Sequence, residues 1–229
     1  MKLLKHKDIT KLFDLYKNET KSFNTIITKY NRCIKGIDHV AFRSLGSIQF
    51  DNKYILQPDT FKFNQYNANA EWLKVDNDFK RVFLSYYEGH LTDDNFSDKN
   101  KIKNIMDKKK LSYEDYYYVQ SKNQYLAWTL LHKNKLNHVA LEVFDIHEIV
   151  DQLINDGYTF NIVDNSMYSF GKKNKLIQAS LMADKYPYKF SDGEKIIPYS
   201  FVEFIQRVDN VDGFDTNNAN NIVTSTANH

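Results

Sequence analysis

The sequence contains one cysteine, three prolines and seven glycines in 229 residues. A single cysteine excludes an intramolecular disulfide framework and any zinc module built from several cysteines. No apolar run approaches the roughly 20 residues needed to cross a bilayer, and the first 23 residues lack the apolar core of a secretory signal. Because 31 basic residues nearly balance 29 acidic ones, no charge excess favours nucleic acid or a membrane surface. We expect an intracellular, cytoplasmic protein with neither partner, and the sequence leaves its oligomeric state open.

The sequence has enough apolar material for a packed core, since 42% of its residues are hydrophobic and 15% are aromatic. Apolar residues at helical spacing predict an amphipathic helix over residues 8–18. Compact apolar runs predict buried strands at residues 36–43 and 81–86. Between the two halves, a charged segment is predicted to be helical over residues 98–109, and a second helix is predicted over residues 113–131.

The second half of the chain has a clear β-α-β-β-β pattern. Asp145 is a typical helix N-cap, and Gly157 is a typical residue for ending the helix that begins there. The predicted strands are residues 136–144 before this helix and, after it, residues 158–163, 174–182 and 198–207, with a turn at residues 191–193.

A short repeat indicates that the chain contains a duplicated module. Residues 37–42 (IDHVAF) and 136–141 (LNHVAL) match in residue type at every position, and their histidines are 99 residues apart. We therefore predict a single metal-binding domain over residues 1–212, with a weakly structured tail at 213–229. Its parts would be module one at about 36–90, a helical insert at about 91–133 and module two at about 134–208.

The repeated histidines are candidate metal ligands. A histidine on the inner face of a buried strand is unfavourable unless it is hydrogen-bonded or binds a metal. His39 or His138 alone would fit a hydrogen-bonded core residue, but two equivalent positions in a duplicated module favour one shared ion. Two imidazoles and one carboxylate form the facial triad of non-haem Fe(II) sites.

Glu203 is the carboxylate that best completes this triad. Glu142 lies four residues beyond His138, about 13 Å along a strand at ~3.3 Å per residue, which is too far for both to bind one ion. Glu203 lies in an apolar strand, where a carboxylate requires a cation, a donor or a proton. The alternative is a buried ion pair with Arg207 or Arg43.

Arg43 is the candidate for recognising a substrate. It shares a strand face with His39, so its guanidinium could bind the far carboxylate of a dicarboxylic acid held at the metal. The alternative is an ordinary surface arginine at a strand end. Gln178 and Ser180 alternate onto one face of their strand and could line the same cavity. Four other histidines are interpreted as solvent-exposed: His6, His90, His132 and His147.

Several ordered motifs resemble the 2-oxoadipate dioxygenase/decarboxylase family, also called 2-hydroxyglutarate synthases, of the vicinal oxygen chelate superfamily. The likeness runs from about residue 36 to 215 and rests on residues 37–43, 125–128 with 136–139, 178–184 and 201–204, supported by 81–85 and 190–193. It implies an α+β fold in which paired βαβββ modules form a vicinal-oxygen-chelate-like curved sheet or barrel, with extra helices in the first half.

The resemblance also implies a function. His39, His138 and Glu203 would bind Fe(II), and Arg43 would hold the substrate carboxylate. The implied reaction converts 2-oxoadipate, or a similar 2-oxo acid, with O2 to 2-hydroxyglutarate and CO2 in lysine degradation. Two alternatives remain: another vicinal oxygen chelate enzyme, such as an extradiol dioxygenase or an isomerase, or a non-catalytic small-molecule-binding relative.

Overall fold

The structure is a computed structural model that describes residues 2–45, 48–50, 55–63, 68–75, 80–87, 128–129, 131–132, 135–163, 165–190 and 193–215. Among these residues, the helices with defined bounds are α1 (His6–Glu19), α2 (Lys21–Lys29) and α3 (Ile146–Asn155). The strands of the first half are β1 (Lys2–Leu4), β2 (Ile34–Leu45), β3 (Ile48–Phe50), β4 (Ile55–Phe63), β5 (Ala68–Val75) and β6 (Arg81–Tyr87). Those of the second half are β7 (Leu136–Val143), β8 (Ser169–Gly171), β9 (Leu176–Ser180), β10 (Lys185–Phe190), β11 (Gly193–Pro198) and β12 (Phe201–Arg207).

Eight strands form one curled half-barrel sheet in the order β4-β5-β6-β2-β7-β12-β9-β8. The central strands β2 and β7 are antiparallel, whereas β6 runs parallel to β2 and β12 runs parallel to β7. Each half therefore has the same spatial order, in which its first strand lies beside its fourth, then its third and its second. This arrangement confirms the α+β class and the paired modules.

The two modules differ in the element that comes after their first strand. In the second module α3 connects β7 to β8, as the β-α-β-β-β pattern predicts. In the first module, the described residues between β2 and β4 form the short strand β3, which pairs with β1. The additional described helices of the first half, α1 and α2, precede β2.

The convex face of the sheet carries the main hydrophobic core. Alternate residues of the central strands are buried there, among them Val40, Phe42, Val139, Leu141, Val202 and Phe204. The apolar faces of the three helices cover them with Ile9, Tyr16, Phe23, Ile26, Ile146, Ile149, Val150 and Leu153. Because strand side chains alternate between faces, the residues between these core positions point to the opposite, concave face. None of the described helices is long and apolar enough to cross a bilayer.

The helices at residues 8–18 and after Asp145 are confirmed. The Asp145 carboxylate accepts hydrogen bonds from the backbone N–H groups of His147 and Glu148 at 2.9 and 3.2 Å. The helix ends before Gly157, whose φ of 88° is favourable only without a Cβ. Helix α2 was not predicted from the sequence.

Three strand predictions in the second half need correction. Residues 158–163 make only isolated bridges, because Phe160 pairs with Leu181 whereas Val163 pairs with Ser166 in its own segment. The strand predicted at 174–182 begins at Leu176, since residues 172–174 have positive φ values and form a turn. The strand predicted at 198–207 begins at Phe201, because Pro198 ends β11 of an inserted hairpin.

The rest of the predicted secondary structure is only partly described. The strand at residues 81–86 is confirmed as β6. In the inserted hairpin, Phe190 pairs with Gly193, while residues 191–192 of the predicted turn lie outside the described residues. The helix predicted at 98–109 and most of that at 113–131 also lie outside them; residues 128–129 and 131–132 are helical.

Candidate metal centre

Three adjacent strands bring His39, His138 and Glu203 together on the concave face. In the sheet register, Ala140 of β7 lies opposite His39 on β2 and opposite Glu203 on β12. His138 is two residues from Ala140 on the same face of β7. The small Ala140 side chain therefore leaves space over β7 into which the three larger side chains converge.

The ligand atoms of the three residues all lie within 4.8 Å of one another. Nε2 of His39 is 3.3 Å from Nε2 of His138. The Glu203 carboxylate oxygen Oε2 is 3.1 Å from Nε2 of His138 and 3.6 Å from Nε2 of His39. All three side chains are buried, so the cluster is a compact group of donor atoms that could hold a metal ion.

Each imidazole is oriented by the residue that precedes it. Nδ1 of His39 lies 2.9 Å from Oδ1 of Asp38, and Nδ1 of His138 lies 3.0 Å from Oδ1 of Asn137. Since both oxygens are acceptors, each Nδ1 carries the proton and donates it. The unprotonated Nε2 atoms therefore point toward each other and toward Glu203.

The charges of the cluster favour a cation. Burial raises the pKa of Glu203, but the adjacent imidazoles of His138 and His39 and the hydrogen bond from Gln178 lower it by more, so this pKa lies below its ordinary value. Burial lowers the pKa of His138 more than Glu203 raises it. An ionised carboxylate and electron pairs from two imidazoles thus share a dry site. That donor set fits a divalent transition metal.

Gln178 and Ser180 of β9 both lie beside Glu203. The Gln178 side-chain amide donates a hydrogen bond to Oε1 of Glu203, which leaves Oε2 directed at the histidines. Ser180 is the register partner of Glu203, and its buried Oγ makes no hydrogen bond with the described residues. Both sequence candidates therefore contact or flank the cluster.

Arg43 is buried on the concave face and is not a surface arginine. Its side chain is 9% exposed, and its guanidinium carbon lies 5.4 Å from the centre of the Trp128 ring. The alternative pairing of Glu203 with Arg207 is not found, because Arg207 binds the Asp38 carboxylate through Nε at 2.6 Å and Nη2 at 3.0 Å.

Aromatic rings surround the two histidines. The Trp72 ring lies edge-on to His39 at 4.9 Å, and the Phe201 ring stacks on His138 at 4.7 Å. Phe214, in the segment predicted to be a tail, packs against Trp72 at 4.8 Å. Neither these aromatic residues nor Asp38 was predicted from the sequence to be part of the site. Only Asp38 could have been found, because it directly precedes His39 inside the repeat.

The exposed interpretation of His132 is wrong. This side chain is 5% exposed, and its ring packs against Trp128 and Tyr199. Its Nε2 lies 3.3 Å from the Pro198 carbonyl, and burial lowers its pKa to about 4. His147 is exposed as predicted, whereas the side chains of His6 and His90 lie outside the described part of the chain.

Comparison with protein families identifies similar sequences. The family model described as 2-oxoadipate dioxygenase/decarboxylase matches residues 86–213. The chloroplastic/amyloplastic 2-oxoadipate dioxygenase/decarboxylase of Oryza sativa subsp. japonica is 29% identical over 140 residues, which is 51% of this chain and 38% of that protein. The chloroplastic Arabidopsis thaliana protein of the same name is 30% identical over 128 residues, 45% of this chain and 34% of its own. The matched segments thus span little more than a third of these relatives.

Solved structures show the same fold over nearly the whole chain. Hydroxyglutarate synthase from Oryza sativa, crystallised with 2-oxoadipate, matches with a TM-score of 0.72 and 20% identity, covering 96% of this chain and 91% of that one. A glyoxalase superfamily structure from Ralstonia eutropha JMP134 matches with a TM-score of 0.66 and 15% identity over 89% of this chain and 83% of its own. The curled sheet is therefore shared with both.

Proposed function

Because the chain belongs to the 2-oxoadipate dioxygenase/decarboxylase family, we propose that it is a non-haem Fe(II)-dependent oxidoreductase. Its proposed reaction converts 2-oxoadipate, or a similar 2-oxo dicarboxylic acid, and O2 to 2-hydroxyglutarate and CO2 during lysine degradation. The observation that carries the proposal is the convergence of two imidazole nitrogens and one carboxylate oxygen within 4.8 Å. Non-haem Fe(II) oxygenases use this donor set.

In this proposal His39, His138 and Glu203 hold the metal. A bound Fe(II) ion would supply the redox chemistry with O2, which protein side chains lack. The protein's contribution is rigidity, since the three ligands stand on hydrogen-bonded neighbouring strands and Gln178 fixes the carboxylate of Glu203. Ligands held in this way need little rearrangement when the ion binds.

Arg43 would select dicarboxylic acids. It lies four positions after His39 on the strand, about 13 Å away between Cα atoms. A six-carbon acid and the long arginine side chain can bridge this distance together. A guanidinium binds a carboxylate through two parallel hydrogen bonds. Trp128 would hold that guanidinium in place by a cation–π contact.

Ser180 and the aromatic rings would complete the pocket. The Oγ of Ser180, which has no hydrogen-bond partner in the part of the chain that the structure describes, is one strand away from Glu203, so it can donate a hydrogen bond to an oxygen of the bound acid. Trp72 and Phe201 cover the two imidazoles. By limiting the access of water, they would protect reactive species formed at this site.

The proposal is tested by adding 2-oxoadipate to the Fe(II)-loaded protein under anaerobic conditions and then admitting O2. We expect a visible charge-transfer band on adding the acid, and then consumption of O2 and formation of 2-hydroxyglutarate and CO2 in equal amounts. Protein without metal is the control. Stoichiometric iron with no turnover of 2-oxo acids would reject this function and favour a non-catalytic or different vicinal oxygen chelate relative.

A further inference from the structure

Two equivalent β-bulges lie beside the metal centre. Ile37 of β2 is opposite Leu141 of β7, and His39 is opposite Ala140, so Asp38 is an extra residue on β2. On the other strand, His138 is opposite Ala41 and Leu136 is opposite Phe42. Asn137 is therefore an extra residue on β7. A bulge redirects a side chain, and here each redirected residue immediately precedes a histidine of the centre.

The two bulged residues make the same hydrogen bond with different chemistry. Oδ1 of Asp38 lies 2.9 Å from Nδ1 of His39, and Oδ1 of Asn137 lies 3.0 Å from Nδ1 of His138. Both side chains are almost fully buried. The fold thus applies one geometry twice, once with a carboxylate and once with a neutral amide.

Asp38 is held as a carboxylate by two arginines. Arg207 binds it through Nε and Nη2, and Nη1 of Arg81 lies 3.1 Å from Oδ2. Two guanidinium groups therefore stabilise the negative charge of Asp38 beside His39.

We infer that Asp38 is a positioning residue that fixes His39 and strengthens it as a metal ligand, so that the two histidines bind the ion unequally. The inference rests on the proposed metal role of His39, His138 and Glu203. A carboxylate that accepts the Nδ1 proton increases the electron density at Nε2 and fixes the ring, whereas the Asn137 amide only fixes the ring. Removing such a partner typically weakens metal binding by about 10- to 100-fold.

The experiment exchanges the two supports and measures binding of Co(II), an O2-stable substitute for Fe(II) with visible d–d bands. Asp38→Asn is expected to raise the dissociation constant about 10- to 100-fold and to shift the d–d bands of the saturated protein. The matched variant Asn137→Asp is expected to lower the dissociation constant. A residue that supports only the fold would leave the bands of the saturated protein unchanged.

A second variant accounts for the loss of a partner for Arg207. Asp38→Asn leaves Arg207 without its carboxylate, although its Nη1 still donates to the carbonyls of Val211 and Gly213. The double variant Asp38→Asn/Arg207→Gln removes both charges and should show the same weakened binding. If Asp38→Asn alone fails to fold in a thermal melt, the double variant and Asn137→Asp decide the matter.

The outcomes separate this inference from the proposed function. If the parent protein binds no Co(II), the metal role fails, and the inference fails with it. If the parent binds Co(II) while Asp38→Asn or the double variant stays within about threefold of its affinity, the function stands and the inference is overturned. An unchanged or weakened affinity in Asn137→Asp also overturns it.

Discussion

Arg43 and the metal-ligand candidates occupy one face of the sheet. In the proposed function, the candidates bind the metal and Arg43 binds the substrate. His39 and Arg43 alternate onto the same side of β2, where Arg43 packs on Trp128. A guanidinium at this depth has lost most of its hydration. Its interaction with a carboxylate should therefore be stronger than that of a surface arginine.

We predict that Arg43→Ala raises the KM for 2-oxoadipate about 10- to 100-fold, the effect of losing a hydrogen-bonded charge pair. Iron content should not change, because Arg43 contributes no ligand. The control substrate is 2-oxohexanoate, which has a methyl group in place of the far carboxylate. The parent should discriminate strongly between the two acids and the variant weakly, and a parent that treats both acids alike would contradict the role.

The buried His132 should make the stability of the protein depend on pH. Its pKa is about 4 in the folded protein and about 6.5 in the unfolded chain. The unfolded state therefore binds more protons between these values, and stability falls as pH drops through this window. At 1.36 kcal/mol per pKa unit, protonation of His132 on acidification to about pH 4 lowers the free energy of unfolding by roughly 3 kcal/mol.

Urea unfolding at about pH 7 and about pH 4.5 checks this prediction. His132→Gln, which keeps a donor for the Pro198 carbonyl, should lose less stability on acidification than the parent. Equal losses in the two proteins would show that His132 is not the responsible group.

At the scale of elements, α3 depends on its N-terminal cap. Asp145 accepts the backbone hydrogen bonds of His147 and Glu148, and Glu148 adds a second acidic side chain in the first turn. The helix then buries Ile149, Val150 and Leu153 against the sheet. Local sequence was sufficient to predict this helix because cap, apolar face and glycine end lie within about a dozen residues.

We predict that Asp145→Ala lowers the free energy of unfolding by about 1 kcal/mol, because two backbone N–H groups lose their acceptor. Asp145→Asn, which retains an acceptor oxygen, should recover most of this loss. Chemical denaturation of the three proteins measures the difference. Because Asp145 is exposed, Asp145→Ala creates no cavity in the core, so the change in stability reports the lost cap.

The three corrected strand predictions in the second half were wrong because strands depend on partners elsewhere in the chain, whereas the signals for α3 are local. Residues 158–163 carry an apolar pattern, yet the backbone N–H of Asn161 binds the Ser180 carbonyl and its side-chain amide binds the Leu181 carbonyl. These contacts at the end of β9 replace a regular ladder. The strands of the inserted hairpin, β10 and β11, which form a separate two-stranded sheet with each other, were not predicted from the sequence either.

For the whole molecule, the candidate metal centre lies at the junction of the two modules. His39 belongs to the first module, and His138 and Glu203 belong to the second, with the β2–β7 pair between them. We propose that the modules form one metal-binding domain, as the sequence predicted for residues 1–212. A bound ion would then stabilise the pairing of the two halves.

We predict that a divalent metal raises the melting temperature, because only the folded chain assembles the three ligands. At a free metal concentration about 100 times the dissociation constant, the gain is about 2.7 kcal/mol, or roughly 5–10 °C for a chain of this size. A chelator should remove the gain.

Ligand variants make this prediction specific. Glu203→Gln should lose the metal-dependent shift, and the double variant His39→Ala/His138→Ala should contain no iron. The control is Glu142→Gln, because Glu142 lies on β7 but pairs with Lys80 at 2.8 Å and Lys35 at 3.4 Å. Iron retained in the double-histidine variant would contradict the assignment of the site.

The amino-acid sequence was enough to predict the features that depend on residues near one another or on a repeat: α1, α3, the paired modules and the histidines at equivalent positions. Spacing along β7 was also enough to set Glu142 aside. The three-dimensional structure was needed to show that Arg207 binds Asp38 and not Glu203, that His132 is buried, and that bulges turn Asp38 and Asn137 toward the histidines. These features depend on strand register and on contacts between distant segments, which packing of the whole chain selects and local patterns do not encode.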